Sequence, residues 1–138
     1  MARILVIEDN PTNMKLASLL LRVAGHVVMP ADDAETGLTL ARSEQPDLIL
    51  MDIQLPGMDG LAATTVLKQD PTTSAIPIIA LTAMAMKKDQ EKTQIAGCDA
   101  YIVKPVKQDE LYQTVNALLA SGKSRSADET DPDARKNP

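Results

Sequence analysis

At 138 residues the chain is long enough for one domain with a real core. It is 44% hydrophobic and 24% charged, an ordinary globular composition, and its net charge of −5 argues against a nucleic-acid partner. A single cysteine, Cys98, excludes an internal disulfide and fits a reducing, cytoplasmic setting, while Lys15 and Arg22 break the longest helical apolar stretch, so no membrane span is expected.

With no Trp or Phe and only Tyr101 and Tyr112, the core must be aliphatic, with seven methionines as gap-fillers. Met1-Ala2-Arg3 leads directly into the apolar run Arg3–Ile7, which leaves no room for a signal peptide. That run predicts a buried strand ending on Glu8-Asp9. Asn10-Pro11 has the form of a helix cap and first turn, and Leu16, Leu19, Leu20 and Val23 recur at helical spacing as far as the stop at Gly25. Val27-Val28-Met29 predicts a short strand. Asp32 with Glu35 three residues on is a capping-box pattern for a helix through Leu38 and Ala41, ended by Pro46-Asp47.

Leu48-Ile49-Leu50-Met51-Asp52 is a continuous apolar run closing on a carboxylate, the pattern of a strand buried on both faces of a parallel sheet. A turn over Ile53–Gly57 follows, and Asp59 is placed to cap a helix from about Leu61 to Gln69. After a polar loop from Asp70 to Ala75, Pro77 opens a strand, Ile78–Leu81, that ends on Thr82. A mostly polar helix from about Met86 to Ala96, stopped by Gly97, should pack weakly. Ala100–Val103 is the fifth strand, ending on Lys104-Pro105. The last helix carries the stripe Leu111, Val115, Leu118, Leu119 and lacks a Ser, Thr, Asp or Asn cap. From Ser121 to Pro138 there is no apolar period, and four basic residues balance four acidic ones. The expected division is therefore a domain over residues 1–120 and a disordered tail over 121–138.

Five strands alternating with five helices predict an α/β fold: a parallel sheet covered on both faces, joined by right-handed crossovers. In such a sheet the polar strand ends Glu8-Asp9, Asp52, Thr82 and Lys104 converge at the carboxyl edge, where open α/β folds bind ligands. Three carboxylates about 4 Å apart repel by roughly 1 to 4 kcal/mol per pair. A hard divalent cation relieves that repulsion, and few protein ligands with open water positions suit Mg²⁺. Such an ion also neutralises phosphoryl oxygens, with the Lys104 ammonium and Thr82 hydroxyl available for others, so Asp52 is placed as a phosphoryl-accepting nucleophile. His26, the Cys98 thiol and the methionines fall to bland readings, as a strand-opening residue, a small filler and core.

The set Glu8-Asp9, Asp52, Thr82-Ala83 and Lys104-Pro105 closely resembles the receiver domains of two-component response regulators, over residues 1 to about 120. The segments Met51–Gly60, Thr82–Lys87 and Gly97–Tyr101 resemble the single-domain regulators of the DivK kind. The resemblance implies a flavodoxin-like (βα)5 sheet in the order 2-1-3-4-5. It implies Asp52 as phosphoacceptor from a histidine kinase or phosphotransfer protein. Asp9, Asp52 and the Gln54 carbonyl would bind Mg²⁺, with Glu8 acting mostly through water. Thr82 and Tyr101 would form a switch pair, Lys104 would contact the phosphoryl group, and the Lys104–Pro105 bond would be cis. The protein would then be a signalling switch and not an enzyme, a monomer or weak dimer, passing its signal to a downstream regulatory protein or kinase. Glu8 departs from the Asp that many relatives carry.

Three other readings compete. An aspartyl-phosphate phosphatase of the haloacid-dehalogenase kind needs a second Asp where this chain has Gln54. A flavin or nucleotide module needs an open, glycine-bearing first loop, and Glu8-Asp9-Asn10-Pro11 is acidic and has none. A receiver used only as a scaffold has no need of an intact Asp52, Thr82 and Lys104.

Overall fold

The strands are β1 (Arg3–Ile7), β2 (Val27–Ala31), β3 (Leu48–Asp52), β4 (Ile78–Thr82) and β5 (Ala100–Val103). The helices are α1 (Pro11–Val23), α2 (Ala34–Glu44), α3 (Gly60–Gln69), α4 (Lys87–Ala96) and α5 (Gln108–Asp128). The computed structural model describes residues 1–55, 57–83 and 87–128, and the side chains of all of these except 87–89 and 122–128. The expected features at Pro56, at Met84–Met86 and over residues 129–138 lie outside the described residues.

All strands pair in parallel in the order β2-β1-β3-β4-β5. Because side chains alternate along a strand, each continuous apolar run feeds two cores. Ile4, Val6, Leu48, Leu50, Ile79, Leu81 and Ile102 face Ala17 and Leu21 of α1 and Leu111 and Val115 of α5. Leu5, Ile7, Ile49, Met51 and Ile78 face Leu38 and Ala41 of α2 and Ala63 and Leu67 of α3. The registers Ile7↔Met51 and Asp52↔Leu81 bring the carboxyl ends of β1, β3 and β4 side by side.

Local chemistry sets the element ends. Asn10 Oδ1 accepts the Thr12 and Asn13 N–H groups at the start of α1, and Asp59 accepts that of Ala62 at the start of α3. Gly25 and Gly97, both with positive φ, end α1 and α4 in 6→1 and 5→2 hydrogen-bonded turns. Differences from expectation are local. The α2 cap is Asp33, which accepts the Thr36 N–H at 2.7 Å; β2 runs two residues further than expected, through Pro30 to Ala31, so the helix begins one residue too late for the Asp32–Glu35 pair. Pro30 is tolerated because β2 is an edge strand. Helix α5 continues to Asp128, past the expected boundary at residue 120. No proline interrupts it before Pro132, and a helix already nucleated by its apolar stripe propagates cheaply, Gly122 opposing by only about 1 kcal/mol. Asp109 and Glu110 sit in its first turn, where they favour the helix dipole in place of a side-chain cap. No described helix is long and apolar enough to cross a membrane.

Candidate functional site

Each site residue reaches the carboxyl edge because its strand stops there. The N–H groups of Glu8, Ile53 and Lys104 still donate to the neighbouring strands at Ala31, Leu81 and Thr82, so the backbone below the edge is held by the sheet. Glu8 and Asp52 are buried, at 1% and 2% exposure, and Thr82 is buried at the end of β4. Asp9 is exposed. One carboxylate oxygen from each of Glu8, Asp9 and Asp52 lies within 4.8 Å of the others.

Lys104 is the counter-charge. Its Nζ stands 3.1 Å from Asp52 Oδ1 and 3.1 Å from Glu8 Oε1. Asp52 Oδ1 also accepts the Gln54 N–H at 3.0 Å, and Glu8 Oε2 accepts that of Asn10 at 3.1 Å. Glu8 Oε1 accepts no hydrogen bond although it is buried, so its contact with Lys104 is an ion pair without hydrogen-bond geometry. Burial, reinforced by the adjacent Asp52 carboxylate with which a protonated Glu8 shares a hydrogen bond, pushes the Glu8 pKa up to about 7. Burial pulls Lys104 toward its neutral form, but the Asp52 and Glu8 carboxylates outweigh it and hold its pKa above the ordinary lysine value.

Three hard oxygens from two buried acids and one exposed acid, one of them short of a hydrogen bond, form a donor set that fits a divalent cation with open water positions. The ammonium of Lys104 satisfies only part of that charge. The arrangement has the ingredients of phosphoryl transfer: a carboxylate nucleophile, oxygen ligands for a metal and a fixed cation.

The fold thus gathers Glu8, Asp9, Asp52, Thr82 and Lys104 at one edge. Gln54 follows β3 and is exposed between the buried Ile53 and Leu55, and Tyr101 is half-buried on β5, opposite Ala80. The Lys104–Pro105 bond is cis. Between the start of α3 and α4 a cleft of about 280 Å³ opens beside Thr82, bordered by Gln54, Asp59, Lys92 and Thr93. His26 lies at the opposite edge, where its Nδ1 accepts the Ala2 N–H at 3.1 Å. Cys98 packs against the α2–α3 core, its Sγ 3.8 Å from Thr64 Oγ1, and burial raises its thiol pKa. The pairing of Lys104 with Glu8 was not legible from spacing; its one signal is the longer side chain at position 8.

Residues 4–116 match the family model described as the response regulator receiver domain. The protein PilH of Pseudomonas aeruginosa is 42% identical over 120 residues, covering 87% of this chain and 99% of that protein. The polar-differentiation response regulator DivK of Brucella anthropi is 43% identical over 116 residues, covering 84% of this chain and 94% of DivK. Among solved structures, a putative response regulator from Chloroflexus aurantiacus superposes with a TM-score of 0.83 at 32% identity, over 86% of this chain and 98% of that one. The receiver domain of a sensor histidine kinase from Pseudomonas aeruginosa, solved with a magnesium ion coordinated in its active-site cleft, superposes with a TM-score of 0.81 at 35% identity, over 86% and 98% of the two chains. With its five-stranded 2-1-3-4-5 sheet and the acidic cluster at the sheet's carboxyl edge, the chain belongs to the response regulator receiver domain family of two-component signalling.

Proposed function

We propose that the chain is a phosphorylation-switched regulator whose phosphoacceptor is Asp52. The observation that carries the reading is the setting of this carboxylate: buried at the end of the central strand, 3.1 Å from Lys104 Nζ and within ligand distance of two further acids. A lone pair of the Asp52 carboxylate forms the new P–O bond. The P–N bond of a phosphohistidine on a kinase or phosphotransfer protein breaks, and its electron pair returns to the imidazole. Asp9, Asp52 and the Gln54 carbonyl would hold Mg²⁺, with Glu8 supporting through water. The ion supplies charge neutralisation of the phosphoryl oxygens. The magnesium-bearing relative at 35% identity supports that assignment. Lys104 exchanges its carboxylate partners for a phosphoryl oxygen, and the Thr82 hydroxyl turns to meet another. Tyr101 then fills the space beside Thr82, and the surface of α4, β5 and α5 is altered for a downstream protein. The receiver ends near residue 120 and the tail beyond it is dispensable for these steps. Action in the cytoplasm accords with the single, half-buried Cys98.

Mass spectrometry after incubation with acetyl phosphate and Mg²⁺ tests the acceptor. The wild type should gain one phosphoryl group and Asp52→Asn none. Labelling of the variant to wild-type extent would overturn the reading.

A further inference from the structure

We propose that Gly60 is a positioning residue for the phosphorylation site, required because only a residue without a side chain lets α3 seat against the backbone of Asp52. The inference rests on the reading of Asp52 as phosphoacceptor and adds the element that holds it in place.

Gly60 is the first residue of α3 and is buried. Its backbone has no positive φ, so conformational freedom is not the reason for glycine there. The reason is proximity. A Cβ at this position would stand 2.1 Å from the carbonyl oxygen of Asp52, 2.7 Å from Ile53 Cα and 2.9 Å from the carbonyl carbon of Asp52. All three are backbone atoms at the end of β3, and none can swing aside as a side chain does. One hydrogen bond crosses the seat, from the Gly60 N–H to the Ile53 carbonyl at 2.9 Å, while the buried Thr64 hydroxyl donates to the Gly60 carbonyl at 2.8 Å within α3 itself. Asp59, immediately before it, caps the helix.

This clamp ties the start of α3 to Ile53, the residue directly after β3. Gln54 comes next, its N–H holding Asp52 Oδ1 at 3.0 Å and its carbonyl the proposed third metal ligand. The depth at which α3 sits therefore sets where the Asp52 carboxylate and the Gln54 peptide stand relative to Lys104 and the other acids. An added methyl group must move α3 or the strand end by roughly 1 Å to restore ordinary contact. A displacement of that size at a reacting centre is enough to slow the chemistry severalfold to about a hundredfold.

The test compares Gly60→Ala with Gly37→Ala in the full chain. Gly37 in α2 is also closely packed, a Cβ there standing 2.3 Å from Ile7 Cδ1, but its three nearest atoms all belong to the Ile7 side chain and none to a site residue. Three readouts are taken at a fixed interval below each variant's melting temperature: Mg²⁺ affinity, the rate of Asp52 labelling by acetyl phosphate, and hydrogen exchange at the Gln54 amide without metal. Gly60→Ala should lower the first two by roughly tenfold or more and speed the third, whereas Gly37→Ala, however destabilised, should stay within about twofold of wild type in all three. Wild-type values in a folded Gly60→Ala, or equal losses in Gly37→Ala, overturn the proposal. Should Gly60→Ala not fold, exchange in the wild type decides: the Gly60 amide, whose bond to Ile53 crosses the seat, and the Gln54 amide should open together with one free energy across a denaturant series, and independent opening of the two overturns the proposal. If the wild type itself takes no label, the reading of Asp52 fails separately, and Gln54 exchange alone still decides the role of Gly60.

Discussion

Helices α3 and α4 lie next to each other on the same face of the sheet, yet they are built differently. Helix α3 buries Gly60, Ala63, Thr64 and Leu67, and its first residue presses on the backbone of Asp52. Among the described residues of α4 only Thr93 is buried, no residue joins either hydrophobic core, and Ile95 is 86% exposed. The cleft beside Thr82 runs between the start of one helix and the middle of the other. On the proposed reading, one helix holds the phosphoacceptor still and the other is inexpensive to move. A switch needs both, since a site that shifted with its output would lose the geometry that drives it.

The largest way to break this contrast is through the α3 core. Leu67 is fully buried between α3 and the sheet. Leu67→Ala should lower unfolding stability by about 2–5 kcal/mol, measured by urea denaturation. A loss below about 1 kcal/mol, comparable to that of an α4 substitution, would remove the distinction.

A second test loads the edge that both helices face. The folded protein keeps the Glu8 proton up to about pH 7, while the unfolded chain releases it near 4.5. Between those values the folded state binds more protons, so stability falls as pH rises through the window, by about 3 kcal/mol at most above it. In metal-free buffer Glu8→Gln should flatten this dependence, stabilising the protein at pH 8 and changing little at pH 4.5. The measurement is melting temperature across that range. An unchanged slope in the variant would assign the pH dependence to other groups.

The fold was legible in the sequence because the strong signals are local. Continuous apolar runs marked all five strands, and Asn10, Asp59, Gly25 and Gly97 marked helix ends through bonds made within a few residues. The gathering of the candidate residues was legible for the same reason: Glu8, Asp9, Asp52, Thr82 and Lys104 each close or directly follow a strand, and parallel strands must align their ends. What escaped depends on distances between elements. The α2 cap moved from Asp32 to Asp33 because β2 pairs with β1 as far as Ala31. The far end of α5 is set by propagation from its packed part and not by its own composition. The pairing of Lys104 with Glu8 and the approach of Gly60 to Asp52 are contacts between chain segments far apart or folded back, which no spacing reveals.

A smaller effect is expected inside α4. Thr93 Oγ1 donates to the Gln90 carbonyl at 2.6 Å, a bond within the helix. Thr93→Val should cost about 1 kcal/mol or less in global stability. Amide exchange should show α4 opening well below the global unfolding free energy while α3 opens with the core. Equal protection of the two helices would show that α4 is held as firmly as α3.

The smallest effect on stability, and the most informative about output, belongs to Ile95. Its side chain is exposed on a helix whose other residues, Ala96 apart, are polar, so nothing in the folded domain depends on it. Ile95→Ser should leave stability within about 0.5 kcal/mol of wild type and leave Mg²⁺ binding and Asp52 labelling unchanged. If the face formed by α4, β5 and α5 carries the output, the variant should bind a downstream partner more weakly whether or not Asp52 is phosphorylated, because a contact is missing in both states. Tyr101→Ala should behave differently. It too should accept the phosphoryl group, but the ratio of partner affinities with and without phosphorylation should fall, because Tyr101 is proposed to transmit the change and not only to touch the partner. Isothermal titration of both variants in both states separates contact from transmission. A Tyr101→Ala protein that keeps the full affinity ratio would rule out the proposed route from Thr82 to α4, and an Ile95→Ser protein with undiminished affinity would place the docking surface elsewhere.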